Sequence, residues 1–559
     1  MNGRHHAFGL KHDACHCKVV DPMNWILVFR LLGYLSLIIS GSMVLSLPWS
    51  FEAFGEAPSF ERVSFFGMCK AILFAFSLGC VLVMLGKDSR KDTLLRKEAL
   101  AVVGFGWILC GILGGLPYWL TPTYRLAGVP MSFADSIFES VSGFSTTGAS
   151  VLTQLEVPDG ITSCEDEARA GRLAYIPRSV LFWRCFTHWL GGMGIIVLFV
   201  AILGQLGAGG KALMKREVPG PVSDSVRPRI RETATVMWSI YLGLSALMFF
   251  VLYFQGLNIY ESLCHAFATL ATGGFSTRNA SVGSFQSPTL EYTIIIFMIL
   301  AGTNFNLYYL LLKGSNRIDR SSTKGRVGHV VSDPEYRIYI TIITVATAVI
   351  AFLLWKSSHY ETIAESIRHA LFNVVAVMTT TGFGTENFVV WPLFTQGLLL
   401  LLMFVGGCSG STGGGVKVIR FIVLFKVLQR EGERSFRPNL VRPLRLAGRK
   451  IHDSVGQDVL VYFCFIAAIV AGSWLLIVGI EPNDQWVNSG TGNKLMDCAS
   501  AAISCLNNIG PGLGVCGPHS NYTAFSETSK LILSVLMLLG RLELFAIIVL
   551  LIPDFWKVQ

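Results

Sequence analysis

Apolar stretches dominate the chain, and most are too long for a soluble core. Ten runs reach the roughly 20 residues that cross a hydrocarbon core. They lie near 24–47, 63–86, 100–120, 179–204, 233–254, 290–312, 337–355, 391–428, 457–480 and 528–552. The eighth is broken by a polar, glycine-rich stretch. The first follows 23 mostly polar residues with no small-residue cleavage site, which predicts a retained span rather than a signal peptide. Semi-polar stretches of about 15 residues, too short to cross, sit between the later spans. The pattern predicts an all-α membrane protein.

Charge sets the orientation. Only 14% of residues are charged, against about 25% in soluble domains. The excess is basic and falls in alternate loops. One carries Lys87, Arg90, Lys91, Arg96 and Lys97; later ones lie at 207–231, 313–326 and 430–450. The intervening loops are acidic or mixed, with Glu156, Asp159, Glu165, Asp166 and Glu167 in one. The positive-inside rule places the basic loops and both termini in the cytoplasm. Topology thus accounts for the basic residues, and no nucleic-acid partner is expected. Of the 13 cysteines most lie in apolar runs, as small buried hydrophobes. Cys164 and Cys516 fall in predicted outside loops and form a candidate pair. His5, His6, His12, Cys15, His16 and Cys17 lack regular metal-ligand spacing and read as a polar tail.

Four short segments share one pattern: SGFSTTGAS (142–150), ATGGFSTRNAS (271–281), MTTTGFGTE (378–386) and NNIGPGLG (507–514). Each follows a semi-polar stretch and lies between two spans, on the outside by the charge count. The unit is span, short helix, glycine loop, span. It occurs four times, over spans three to ten, and leaves two extra spans at the N-terminus. Predicted boundaries are a tail at 1–23, a two-helix region at 24–97, and repeats at 98–230, 231–330, 331–450 and 451–559. Non-helical backbone at membrane depth survives only where it lines water or is buried in protein. Four such loops satisfy that by converging on one axis, where their carbonyls can replace a cation's water shell. The candidate filter residues are Thr146, Thr147, Gly148, Thr272, Gly273, Gly274, Thr380, Thr381, Gly382, Asn508, Ile509 and Gly510. Asp135, Glu261 and Asp497 each stand 13 residues before their glycine. They read as acids at the start of the short helices, which leaves the partly negative ends facing the pore. The third repeat has His369 there, and Glu365 one turn earlier.

With TTTGFG at 379–384 and IGPGLG at 509–514, the four loops resemble the Trk/Ktr/HKT superfamily of potassium transporters. The two leading spans resemble its Trk branch, and the likeness covers roughly residues 24–552. The resemblance implies a potassium-selective filter at the four loops, with potassium as substrate and no resident cofactor. Sodium-preferring plant relatives carry serine at the first filter glycine; this chain keeps Gly148. The fourth loop departs from Thr-Thr-Gly, with Asn508 and Ile509 before Gly510, so strict fourfold equivalence is not expected.

The stretch 406–420 that breaks the eighth run holds Gly406, Gly407, Gly410, Ser411, Thr412, Gly413, Gly414 and Gly415. Each glycine costs a helix about 1 kcal/mol relative to alanine, so the expectation is a loop at 406–415 beneath the filter, in the middle of the membrane. The resemblance implies that it gates the pore, and that a basic residue of the last span, here Arg541, faces it. Pairing of Arg541 with Glu543 is the structural alternative, and a packing kink is the rival reading of the loop. GSTGGGVK (410–417) lacks the Lys-Ser/Thr of a phosphate-binding loop and has no preceding strand. Lys417 is a second lone charge at the inner end. Arg178 and Arg184 read as snorkelling at the interface. His188 with Gly191, Gly192 and Gly194 reads as close helix packing. Asn304 and Asn306 are candidate vestibule residues.

The expectation is therefore a gated potassium-uptake subunit, integral to the bacterial inner (cytoplasmic) membrane and surrounded by its lipid bilayer. The resemblance further implies a homodimer and a cytoplasmic nucleotide-binding regulatory subunit, with the basic loops as its docking surface. Within transport the alternative is sodium coupling or conduction. No ordered nucleophile–base set supports an enzyme. A mere scaffold would have no use for four glycine loops.

Overall fold

The structure, a computed structural model, describes residues 23–557 except 52–60, 88–95, 156–173, 195–229, 314–327, 329, 439–442, 447–448, 451–452, 484–485, 487–492 and 543–544. The N-terminal His/Cys cluster, Cys164, Glu543, and nearly all of the basic loops at 207–231 and 313–326 lie outside the described residues. Cys516 is buried and forms no disulfide with another described residue.

Two long helices lead: α1 (Trp25–Val44) and α2 (Arg62–Leu85). Small hydroxyls join them, with Ser36 Oγ donating to the Ala75 carbonyl at 2.7 Å and Ser40 Oγ to Ile72 at 3.0 Å. That is the usual glue between helices that gain nothing from hydrophobic contrast in lipid. Glu61, before α2, accepts from the Tyr175 hydroxyl at 2.6 Å and the Arg178 amide at 3.0 Å. The leading pair is thereby tied to the first repeat.

The four repeats follow in chain order. The first has α3 (Arg96–Leu120), a small hairpin of β1 (Tyr124–Leu126) and β2 (Val129–Pro130), the short helix α4 (Phe133–Phe144), and α5 (Arg178–Gly192). The second has α6 (Ile230–Phe254), short α7 (Ile259–Leu270), α8 (Pro288–Ala301) and α9 (Phe305–Lys313). The third has α10 (Pro334–Lys356), short α11 (Ile363–Met378), α12 (Leu393–Leu402) and α13 (Val418–Phe436). The fourth opens after the hairpin β3 (Arg445–Leu446) and β4 (Arg449–Lys450). It has α14 (Asp453–Ile480), short α15 (Lys494–Leu506), α16 (Glu527–Arg541) and α17 (Phe545–Leu551).

Among the described residues six helices are long and apolar enough to cross a membrane, or seven spans if the bent pair α8–α9 is one. Of the remaining expected spans, the eighth is interrupted by the loop between α12 and α13, and the fourth and tenth include residues 195–229 and 543–544, outside the described ones. Outward faces are apolar, with Leu73, Phe254 and Leu393 largely exposed, as a bilayer-facing surface requires. Among the described residues the core falls into two large clusters, besides a small one at Val423, Val427, Leu444 and Val459. One joins the leading helices to repeats one and four, and the other joins repeats two and three.

The sixth span differs from expectation. It was expected as one span over 290–312, yet α8 and α9 meet at 90°, at the polar stretch 302–306. The Phe305 amide leaves the helical ladder and donates to the Gly410 carbonyl at 3.1 Å, so a tertiary bond replaces a local one.

Candidate pore and gate loop

The four short helices start alike. Ser132, Asn258, Thr362 and Asn493 each cap their helix by accepting a backbone N–H three residues on. Ser132 and Asp135 form a reciprocal capping box. Glu261 and Glu365 hold the equivalent third position, which resolves the irregular spacing of the third repeat: α11 is one turn longer than α4 or α7. The acids are further engaged. Asp135 meets Lys530 at 2.7 Å, with both side chains fully buried, and Arg125 at 3.3 Å. Glu261 meets Arg278 at 2.6 Å.

The helix ends are more alike still. In every repeat one amide donates three residues back and the next donates five back. The first set is Thr146 to Gly143, Thr272 to Thr269, Thr380 to Val377 and Asn508 to Cys505, at 3.0–3.3 Å. The second is Thr147 to Ser142, Gly273 to Ala268, Thr381 to Ala376 and Ile509 to Ser504, at 2.8–3.0 Å. This is the Schellman ending, which needs a left-handed residue at the first position. Thr146, Thr272, Thr380 and Asn508 supply it, with φ of 55°, 54°, 58° and 55°. Glycine is usual there and asparagine tolerated, whereas a β-branched residue is an outlier that stores about 1–3 kcal/mol. Asn508 is thus the relaxed version of the same turn, which accounts for the departure of the fourth loop.

Two residues on, Gly148, Gly274, Gly382 and Gly510 are again at positive φ: 80°, 79°, 75° and 96°. Successive carbonyls of a strand point to opposite sides. Alternating the sign of φ undoes that, so consecutive carbonyls can face one way. The glycines also sit against the neighbouring repeat. A Cβ on Gly148 would strike the Gly273 carbonyl oxygen, one on Gly274 that of Thr381, and one on Gly382 that of Ile509. One on Gly510 would strike that of Thr147; each approach is closer than 3.0 Å. The contacts run first repeat to second, third, fourth and back, a closed ring. All four glycines line one cavity of about 120 Å³. Among its lining residues, partial burial pushes the His519 imidazole below its ordinary range, against the pull of Glu386.

Side chains behind the ring brace it. Ser145 and Thr147 hydroxyls pair at 2.7 Å, as do Thr379 and Thr381. Asn508 Nδ2 donates to Thr147 Oγ1 at 2.9 Å, joining the first and last repeats. His188 lies 2.7 Å from the Gly143 carbonyl through Nδ1, and Nε2 accepts from the Phe275 amide at 3.3 Å. A carbonyl only accepts and an amide only donates, so the ring is neutral with its proton on Nδ1. His188 fills the space a side chain at 273 would need, which is why the second loop reads Thr-Gly-Gly. Close packing is correct for Gly191 and Gly192: added Cβ atoms would meet Phe144 and Ala271. Thr146 Oγ1 and Asn508 Oδ1 are buried without a hydrogen-bond partner among the described residues.

Arg184 departs from its expected interfacial place. It is buried, paired with Glu139, and its guanidinium stacks 3.3 Å from the centroid of Phe275. Glu139 also accepts from the Val151 amide at 3.0 Å, so this pair binds the first loop to the second. Arg184, Glu139, Lys530 and Glu335 were not legible as site residues: each gains its role from a partner remote in sequence.

The loop at 406–415 packs directly on two of the short-helix ends. The Gly414 amide donates to Thr380 Oγ1 at 2.6 Å, and an added Cβ there would meet Asn508. A Cβ on Gly413 would lie 3.0 Å from the Thr379 carbonyl. Gly406 and Gly407 close the loop's base: Gly406 N–H donates to Val416 at 2.9 Å, and Gly407 abuts Gly302. Gly410 packs on Asn304 at the α8–α9 bend, where Asn304 Oδ1 accepts from the Asn306 amide at 2.9 Å. Thr412 donates to Ala301 at 3.1 Å through its hydroxyl, and Lys417 Nζ donates to Ser411 Oγ at 3.4 Å and to the Gly413 carbonyl. Gly415 completes the turn at φ 65°. Arg541 donates to the Thr412 carbonyl at 2.9 Å and to the Gly191 and Gly192 carbonyls. Glu335 staples both ends, accepting from the Ser409 amide at 2.7 Å and the Ile419 amide at 3.2 Å.

Comparison with known proteins agrees with this geometry. The TrkH family model, described as cation transport protein, matches residues 67–557. The Trk system potassium uptake protein TrkH of Escherichia coli is 35% identical over 537 residues, 96% of this chain and all of that protein. Trk system potassium uptake protein TrkI of Halomonas elongata is 31% identical over 455 residues, 81% of this chain and 82% of its own. The crystal structure of the potassium transporter TrkH from Vibrio parahaemolyticus superposes with a TM-score of 0.75 at 31% identity, covering 96% of this chain and all of that one. The chain belongs to the TrkH family of cation transport proteins.

Proposed function

We propose that this chain takes up potassium through a gated, selective pore. The observation that carries it is the closed ring, in which four glycines line one cavity and each abuts a carbonyl of the neighbouring repeat. Such a ring offers a cation oxygen ligands in place of water. The four helix C-termini facing it each add a partial negative charge of about one half. Potassium is the ion that the similar transporters are named for, and Gly148 keeps the residue that the resemblance associates with potassium over sodium. The filter is residues 146–148, 272–274, 380–382 and 508–510. The loop 406–415, with Arg541, is the gate: it covers the inner side of the ring at Thr380 and Asn508 and must move for an ion to pass.

The driving force needs no covalent step. At 100 mV the inward pull on one charge is about 2.3 kcal/mol. The pore repeats divide at about 98, 231, 331 and 451. The protein sits in the inner membrane with cytoplasmic termini, as a homodimer regulated by a soluble nucleotide-binding subunit docked on the basic loops. Potassium uptake in cells lacking other uptake systems tests the reading. Gly148→Ser is expected to weaken potassium-over-sodium preference, and deletion of 410–414 to give a leaky pore. Unchanged preference in Gly148→Ser contradicts the filter assignment.

A further inference from the structure

The cytoplasmic end of α13 carries a second cavity, of about 410 Å³, unrelated to the pore. Lys426, Gln429, Arg430 and Glu433 line it from one helix face, and Pro443, Leu444 and Arg445 from the hairpin β3–β4. Spacing of three and four residues places the first four on one side of α13. Three cationic residues face one acid, so the cavity is net basic. Lys426 Nζ donates to the Arg445 carbonyl, which fixes the hairpin strand against the helix. Arg434 sits outside the cavity and pairs with Glu431 at 3.1 Å, a carboxylate that Arg430 also meets at 3.3 Å.

Two further observations define the ligand. The first is depth. The helix α13 leaves the intramembrane loop at Val418. About ten residues at roughly 1.5 Å each traverse half a hydrocarbon core, which brings Lys426 to Glu433 to headgroup level. The second is the neighbouring face. Phe425 is 70% exposed, Leu428 58% and Phe436 68%. They form an apolar stripe beside the basic cavity on the same helix. A basic pocket bordered by an exposed apolar stripe at this depth matches an amphiphile, with phosphate in the cavity and acyl chains along the stripe.

We propose that this cavity binds the phosphate of an anionic phospholipid of the inner leaflet. The proposal rests on the membrane placement of α13 and not on the identity of the transported ion. The test is native mass spectrometry of the full-length, delipidated protein titrated with phosphatidylglycerol or phosphatidylcholine, with inorganic phosphate and ATP as competitors. Wild type is expected to prefer phosphatidylglycerol by roughly tenfold or more, as two or three basic groups at a membrane surface provide. Lys426→Gln with Arg445→Gln should abolish that preference, each single variant should reduce it, and Arg434→Gln should leave it intact. Phosphate and ATP should not displace the lipid. The proposal is overturned if the preference survives both substitutions. It is also overturned if free phosphate or ATP occupies the site as well as lipid does, or if the variants change only dimerisation or capture of a soluble partner. The single variants keep the test decidable should the double variant not fold.

Discussion

The ring at 146–148, 272–274, 380–382 and 508–510 and the loop at 406–415 are both short, glycine-bearing and non-helical, yet they are held in opposite ways. In the ring the same two backbone hydrogen bonds recur four times, and each glycine is pressed on a neighbour's carbonyl. Its strain at Thr146, Thr272 and Thr380 is carried by helix ends on every side. The loop has no repeated pattern. It hangs on several single bonds, of which the most distinctive come from the charged side chains of Arg541, Glu335 and Lys417. Geometry that must not change is written into the backbone, where altering it breaks many bonds at once. The loop has scattered backbone bonds, such as Cys408 N–H to Gly302 at 2.8 Å, and adds charged side chains to them; on the proposed gating role those side chains can release one at a time.

The sharpest way to break this comparison is to place one methyl group in each region. Gly382→Ala puts a Cβ into the Ile509 carbonyl at positive φ. It should cost about 2 kcal/mol or more locally and abolish selective uptake, read as potassium-limited growth. Gly413→Ala meets a carbonyl at 3.0 Å without positive φ and should retain selectivity. Equal damage from both would erase the distinction.

Next in size is Arg541→Gln. It removes a guanidinium that bridges Thr412 to Gly191 and Gly192. Charged hydrogen bonds contribute about 1.5–3 kcal/mol each, so basal rubidium flux through reconstituted protein should rise several-fold with ion preference unchanged. A fall in flux would place Arg541 in a structural role.

Glu335 gives a smaller effect that grades with chemistry. Glu335→Ala leaves the Ser409 and Ile419 amides without their acceptor, at about 1–3 kcal/mol, and should raise basal flux. Glu335→Gln keeps an acceptor oxygen and should do less; equal effects would point to charge rather than hydrogen bonding.

The smallest change falls inside the ring. Asn508→Thr converts the relaxed turn to the strained one and should lower the melting temperature by an amount equivalent to about 1 kcal/mol or more, since the contact to Thr147 is lost as well. Thr272→Asn should move it the other way.

Much of the ring was legible because it rests on local signals. Glycine at a fixed place after a short semi-polar helix announces each copy, and the four copies reinforce one another. Position 508 looked like a defect in sequence and proves to be the residue its backbone prefers. The break in helix at 406–415 was legible from its glycines alone, whereas a gating role came only from the resemblance. The braces were not: Arg184 was read at the interface because its partner Glu139 lies 45 positions away, and Glu335 reaches its partners over 74 and 84. Nothing along the chain marks such pairs. The bend between α8 and α9 was hidden for the same reason, since its cause, the Gly410 carbonyl, belongs to another repeat. The fourth span and the far end of the tenth are only partly described, so the count of ten spans rests on the apolar runs.

The most direct test is diffraction from crystals grown in rubidium in place of potassium. The expected result is anomalous density on the axis shared by the carbonyls of Thr147, Gly273, Thr381 and Ile509, and its loss in Gly382→Ala. Ordered protein with rubidium bound elsewhere, and none between those oxygens, would contradict the claim that this ring is where the cation sheds its water.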